Sequence, residues 1–158
     1  MRATLENFDV GTGRLRRGRY SSPNQVYHIT TTTRDRYRWF DDFRLGRIVV
    51  QALRREADVG NAKTLAFVIM PDHVHWLMTL NRTCTLSTAV SNLKLMSARK
   101  INVSMFRTGP IWQAGFFDRA IRREEDLASI ARYIVANPLR AQLVKQIGDY
   151  PLWDAVWL

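Results

Sequence analysis

The stretch from Leu65 to Leu80 constrains the fold most. A continuous apolar run from Leu65 to Met70 is followed by Pro71-Asp72, and the chain then alternates in polarity up to Leu80. A continuous run is typical of a buried strand, and an alternating run of a strand with two unlike faces. The sequence therefore predicts a β-hairpin. Its second strand turns one wholly apolar face to the core, made of Val74, Trp76, Met78 and Leu80, and the other face carries His73, His75, Leu77 and Thr79.

The patterns on either side of this hairpin place it within a larger order of elements. Strand signals are β-branched or aromatic runs, and helix signals are apolar residues three and four positions apart. They predict a strand at residues 26–33, a helix at 41–58, the hairpin, a helix at 85–101, a strand at 111–121 and a helix from 124 to Pro138. The order β-α-β-β-α-β with one further helix predicts an α+β, ferredoxin-like antiparallel sheet with an additional C-terminal helix.

The charge of the chain points to nucleic acid. Lys and Arg total 24 against 14 Asp and Glu, a net charge of +10. Only Lys63, Lys94, Lys100 and Lys145 are lysines, so arginine carries most of the charge. Guanidinium groups bind phosphate in a bidentate manner and stack on bases, so DNA or RNA is favoured over an acidic protein or an anionic membrane.

Much of this basic charge lies at the N-terminus. Residues 1–24 contain Arg14, Arg16, Arg17 and Arg19 among glycines and few apolar residues, which predicts a basic arm preceding a single domain at 25–158. Such an arm could follow a phosphate backbone, and the alternative is a solvated tail. The single cysteine, the lack of an apolar run near ~18 residues and the lack of a signal peptide predict a cytoplasmic protein without a membrane span.

His73 and His75 are two of only three histidines in the chain, and they share one strand face. Residues two apart on a strand have Cα atoms roughly 7 Å apart, which allows both rings to bind one metal ion. The alternative is a pair of polar residues at the start of a strand that are hydrogen-bonded or solvated.

Tyr133 and Asn137 lie four residues apart on the last predicted helix, so they share one stripe at the border of its apolar face. Such a border can face a cleft. The alternative is a half-buried tyrosine and an asparagine that ends the helix before Pro138.

Three blocks of the chain together resemble the HUH tyrosine transposases, and in particular their REP-associated branch. The segment Phe67-Val-Ile-Met-Pro-Asp-His-Val-His-Trp-Leu-Met78 resembles the His-hydrophobe-His block, although the family often has asparagine where this chain has Asp72. The later blocks are Ile111-Trp-Gln-Ala-Gly-Phe-Phe-Asp-Arg-Ala-Ile-Arg122 and Tyr133-Ile-Val-Ala-Asn-Pro-Leu-Arg-Ala141. The resemblance covers about residues 14 to 145 in the family's order.

The resemblance implies a metal-dependent, single-stranded DNA endonuclease and transposase. Tyr133 would be the catalytic nucleophile that forms a 5′-phosphotyrosine, and His73, His75 and Asn137 would bind Mg²⁺ or Mn²⁺. The implied partner is single-stranded or hairpin DNA of the REP type, with the chain acting as a monomer or homodimer. The alternatives are a non-catalytic DNA-hairpin-binding protein and a metal-dependent hydrolase that uses water.

Other residues are candidates for DNA contact because of their charge and position. Besides the arm, they are Lys94, Arg119, Arg122 and Arg123. Trp112 could stack on an unpaired base, but an indole in an apolar strand is more often part of the core. We treat His28 as structural.

Overall fold

The computed structural model describes residues 21–123 and 125–157, in which a five-stranded antiparallel sheet has helices on both faces. The predicted arm, including Arg14, Arg16, Arg17 and Arg19, falls almost wholly outside the described residues. In chain order the elements are β1 Val26–Thr32, α1 Phe43–Asp58, β2 Ala62–Met70, β3 His73–Leu80, α2 Leu86–Ser104, β4 Phe117–Ala120, α3 Leu127–Val135, the single turn α4 Asn137–Arg140, and β5 Trp153–Ala155.

The strands lie in the order β4-β1-β3-β2-β5, and every neighbouring pair is antiparallel. The first four strands have the connectivity of the predicted ferredoxin-like sandwich, so the fold prediction is confirmed. The fifth strand, at the edge beside β2, was not predicted, because three residues are too few to show a period of two.

Helices α1, α2 and α3 begin at side-chain caps. The carboxylates of Asp42 and Asp126 accept hydrogen bonds from backbone N–H groups in the first turns of α1 and α3, and the Thr85 hydroxyl does the same for α2. These caps supply acceptors for backbone donors that have no partner within the helix.

Two apolar clusters hold the layers together, one on each face of the sheet. Helices α1 and α2 pack on the face that carries Val74, Trp76, Met78 and Leu80, as predicted for β3. Helix α3 packs on the opposite face, where Ala131, Ile134 and Val135 meet Val68 and Leu77. The two histidines of β3 therefore share their face with α3.

The segment predicted as a long fourth strand is extended in the sheet only at Phe117–Ala120. Before it, Trp112 makes one isolated bridge to Thr33, and Ile111, Trp112 and Phe116 are all buried in the cluster under α1 and α2. Gly115 has a φ of +77°, which turns the chain between this anchor and β4. The predicted strand was too long. The adjacent residues Ile111 and Trp112 are both buried in the same cluster, which the alternating side chains of a regular strand do not allow.

We expect Trp112→Phe to lower the free energy of unfolding by about 1–2 kcal/mol, since it removes buried volume and a buried hydrogen bond. The indole Nε1 donates to Ser97 Oγ at 2.9 Å, and Trp112 is 7% exposed. Urea denaturation measures the change, with Trp157→Phe at a 41% exposed position as the control. Equal stabilities of the two variants would contradict this assignment of Trp112 to the core.

Candidate active site

The register between β1 and β3 places polar side chains of both strands on the face of α3. His28 and Thr30 of β1 lie on this face because their register partners in β3 are Leu77 and His75. His75 Nδ1 is 3.1 Å from His28 Nε2 and 3.1 Å from Thr30 Oγ1. Thus His28, which the sequence led us to treat as structural, directly contacts a predicted metal ligand.

The two histidines of β3 converge as their spacing predicts. Their ring centroids are 4.9 Å apart, and the rings are nearly perpendicular. His73 Nδ1 donates to Asp72 Oδ1 at 2.6 Å, which leaves the lone pair of its Nε2 available. Asp72 therefore orients His73 in the way that carboxylates commonly orient a metal-binding imidazole.

His75 has a comparable arrangement. When its Nδ1 carries the proton, it can donate to Thr30 Oγ1 or to His28 Nε2, and its own Nε2 is then available. Asn137 can supply an oxygen as a further metal-binding atom. Its Nδ2 donates to the carbonyl of Ile134 at 2.7 Å, so Oδ1 remains the acceptor. By their chemistry, two imidazole nitrogens and one amide oxygen are donors that suit a divalent ion such as Mn²⁺ or Mg²⁺.

Burial keeps these histidines neutral, which metal binding requires. The pKa of His75 is lowered to about 3, first by burial and then by the neighbouring His73 and His28 and the positive charges of Arg140 and Arg36. The pKa of His28 is lowered to about 4 by burial and by Arg119. Burial also lowers the pKa of His73, although Asp72 opposes this shift.

Tyr133 lies on α3 and is 64% exposed. The guanidinium carbon of Arg140 stands 3.7 Å from the centre of its ring, a close cation–π contact. Tyr133, Asn137 and Arg140 are four and three residues apart, so they follow one another along the same side of α3 and α4. Arg140 is a second residue that the sequence reasoning missed, since the prediction ended the helix before Pro138.

Asn137 begins α4 instead of ending α3, with Pro138 in the first turn. Proline is tolerated there because the first N–H groups of a helix have no intrahelical acceptor. Helix α4 thus continues the row of Tyr133 and Asn137 beyond the end of α3, and it places the Arg140 guanidinium over the Tyr133 ring.

The cationic residues predicted to bind DNA differ in their surroundings. Lys94 Nζ donates to the backbone carbonyl of Gln113 at 2.8 Å and to that of Gly115, on the side of the sheet opposite the histidines. Arg119 pairs in register with His28 and forms an ion pair with Glu125 at 3.0 Å. Arg122 and Arg123 are exposed between β4 and α3. Lys94 thus has a structural role in the loop, and DNA contact by any of the four stays a prediction.

Arg36 adds a further positive charge beside the site. Its Nε lies 3.4 Å from Asp72 Oδ2, while Asp72 Oδ1 binds His73. Both Asp35 and Arg36 have a positive φ, at 54° and 56°, which is costly for residues with a side chain. This strained turn lies directly beside the histidine pair.

Comparison with known proteins identifies the family. A family model described as "Transposase IS200 like" matches residues 21–137. The chain belongs to this transposase family. The match covers β1 through Asn137 and so includes every residue of the site except Arg140.

Individual relatives agree with the predicted branch. A Haemophilus influenzae protein assigned as a REP-associated tyrosine transposase is 27% identical over 141 residues, which cover 80% of this chain and 77% of the relative. The Escherichia coli K12 REP-associated tyrosine transposase is 30% identical over 87 residues, covering 54% and 50% of the two chains. The resemblance to REP-associated tyrosine transposases is therefore confirmed.

Solved structures show the same fold. The structure of a REP-associated tyrosine transposase bound to a REP hairpin superposes with a TM-score of 0.70 at 24% identity, covering 85% of this chain and 79% of that one. A Deinococcus radiodurans transposase structure gives a TM-score of 0.53 at 24% identity, covering 73% and 89%. No helix within the described residues is long and apolar enough to cross a membrane.

The lowered histidine pKa values predict how stability depends on pH. Below about pH 6.5 the histidines of the unfolded chain take up protons, whereas His28 and His75 in the folded chain do so only near pH 4 and pH 3. The unfolded state therefore binds more protons in this window. The free energy of unfolding should fall as the pH decreases from 6.5 toward 4.5.

Urea denaturation in the presence of a chelator, at pH 7.0 and 5.0, measures this dependence. The double variant His28→Gln/His75→Gln should lose much less stability between the two pH values than the unaltered protein. If both proteins lose the same amount, the buried histidines are not its cause.

Proposed function

We propose that the chain is a metal-dependent single-stranded DNA endonuclease and strand transferase that cleaves beside REP-type hairpins. The observation that carries this proposal is the free Nε2 edge of His73 and His75 on the sheet face that α3 covers, where α3 carries Tyr133 and the following α4 begins at Asn137. The hairpin substrate is suggested by the solved relative, which is bound to a REP hairpin.

In the proposed reaction Tyr133 is the nucleophile that cleaves the DNA strand. The exposed Tyr133 hydroxyl attacks the phosphorus of a phosphodiester, losing its proton to solvent. A bond forms between phosphorus and the tyrosine oxygen while the bond to O3′ breaks, and O3′ keeps the electron pair and takes up a proton. The products are a 5′-phosphotyrosine and a free 3′-hydroxyl, which can reverse the step without ATP.

The donor set described above would hold the metal. His73 and His75 would supply nitrogens and Asn137 an oxygen, with Asp72, Thr30 and His28 fixing the orientation of the imidazoles. When bound, Mg²⁺ or Mn²⁺ supplies Lewis-acid polarisation of the scissile phosphate.

Covalent trapping tests this function. We expect the purified protein, with Mn²⁺ or Mg²⁺ and a REP-type hairpin oligonucleotide carrying a single-stranded flank, to form an adduct that survives denaturing electrophoresis. Tyr133→Phe should abolish the adduct, because no other group is proposed to attack the phosphate. A chelator should prevent it, and Tyr37→Phe, another exposed tyrosine, should leave it unchanged.

Three results would separate the alternatives. Cleavage without an adduct would indicate a hydrolase that uses water, and binding without cleavage would indicate a non-catalytic hairpin-binding protein. An adduct that persists in Tyr133→Phe would mean that a different nucleophile is used. Each of these results contradicts the tyrosine mechanism.

We expect Arg140→Gln to slow adduct formation about tenfold, because the stacked cation both holds the Tyr133 ring and places a positive charge beside the reacting phosphate. Arg140→Lys keeps the charge without the planar stack and should give an intermediate rate. Single-turnover rates at saturating DNA measure the effect.

The control is Arg54→Gln, which removes the same charge from an exposed position on α1, in the layer opposite the site. A rate in Arg140→Gln equal to that of the control would exclude a role for Arg140 in the reaction.

A further inference from the structure

Strand β4 forms one edge of the sheet, and its exposed side chains lie next to the histidine site. In the β1–β4 register Phe117 is opposite Thr30, and Arg119 is opposite His28. Directly opposed residues of antiparallel strands point to the same face. Because His28 and Thr30 both contact His75, Phe117 and Arg119 lie on the face of the site.

One row of residues crosses the sheet from Phe117 through Thr30 to His75. Neighbouring strands are 4.7–4.9 Å apart, so Phe117 and His75 are about 10 Å apart along this row. A stacked DNA strand advances about 3.4 Å per nucleotide and an unstacked strand more, so this distance spans at most about three nucleotides.

Phe117 is 58% exposed, whereas its neighbour Phe116 is 8% exposed and packs in the core. The chain therefore places one phenylalanine of the pair inside and the other at the surface. Trp112, the base-stacking candidate suggested by the sequence, is buried and hydrogen-bonded to Ser97. In the segment that contains Trp112, Phe116 and Phe117, the aromatic ring that reaches solvent beside the site is that of Phe117.

The surroundings of Phe117 suit a nucleic-acid base better than an apolar protein surface. Arg119 follows it on the same strand face, and Arg122 is exposed just beyond the strand. Guanidinium groups attract the phosphate backbone, and an exposed ring can stack on any base of a single strand. An apolar partner would instead have to desolvate these cations.

We propose that Phe117 is a stacking platform for an unpaired base within about three nucleotides of the scissile phosphate. The position of that phosphate at His73 and His75 rests on the proposed function. The stacked base holds the single-stranded flank against the sheet edge, so that the backbone runs from β4 toward the metal ligands and Tyr133.

Fluorescence of 2-aminopurine, which stacking quenches, tests this proposal. The Tyr133→Phe protein is mixed with a REP-type hairpin oligonucleotide whose single-stranded flank carries 2-aminopurine at one position at a time. We expect quenching at one or two adjacent positions. Phe117→Leu, which keeps apolar bulk without a π-face, should abolish this quenching and weaken binding about 5- to 100-fold. Phe117→Trp should retain both.

Phe106→Leu is the matched control, because Phe106 is 98% exposed and lies beyond the end of α2, away from the histidine face. It should change neither the quenching nor the affinity. Equal binding and quenching by Phe117→Leu and the control would overturn the proposal. A change of oligomeric state in Phe117→Leu, with unaltered quenching, would assign the ring to contact with a second copy and would also overturn it.

These measurements need no cleavage, so their outcome does not depend on whether the proposed tyrosine mechanism is correct. Lack of a covalent adduct in the unaltered protein contradicts the tyrosine mechanism, whereas loss of quenching in Phe117→Leu supports the stacking platform in either case.

Discussion

The antiparallel pairing of β1 with β3 is the constraint on which the rest of the molecule depends. In this register Thr30 lies opposite His75, and Ile29 lies opposite Trp76. The same pairing therefore completes the apolar layer under α1 and α2 and gives His75 its hydrogen-bond partners on the other face. Because side chains alternate along a strand, a shift of one residue would turn the histidines toward α1 and α2 and the tryptophan toward α3. The packing of the core thus also fixes the register that builds the site.

The site combines neutral histidines with nearby cations. Burial makes protonation of His73 and His75 unfavourable, and the positive charges of Arg36 and Arg140 act on His75 in the same direction. Uncharged imidazoles are the form that can bind a metal ion. The surrounding positive charges favour a phosphate bound together with it. Asp72 offsets part of this charge and contacts both His73 and Arg36, so its carboxylate orients the His73 imidazole.

The sequence predicted the parts of the fold and site that depend on local periodicity. A period of two placed His73 and His75 on one face, and a period of 3.6 placed Tyr133 and Asn137 on one stripe. The role of His28 could not be predicted, because its contact with His75 joins residues 47 positions apart and depends on strand register. Arg140 was missed because Pro138 usually marks a helix end, whereas here it lies in the first turn of α4.

The short fourth strand links the core to the functional face. Ile111 and Trp112 anchor the chain on one side of the sheet, and Gly115 lets it turn so that Phe117 and Arg119 emerge on the other. In an uninterrupted strand Ile111 and Phe117, six positions apart, would point to the same face, so the break before Phe117 is what lets them lie on opposite sides. The loss of regular pairing before Phe117 thus allows one segment to supply both core residues and an exposed aromatic edge. The two apolar clusters stabilise the fold from both faces of the sheet. The polar side chains on the α3 face of the sheet are left out of these clusters and can take part in binding or catalysis.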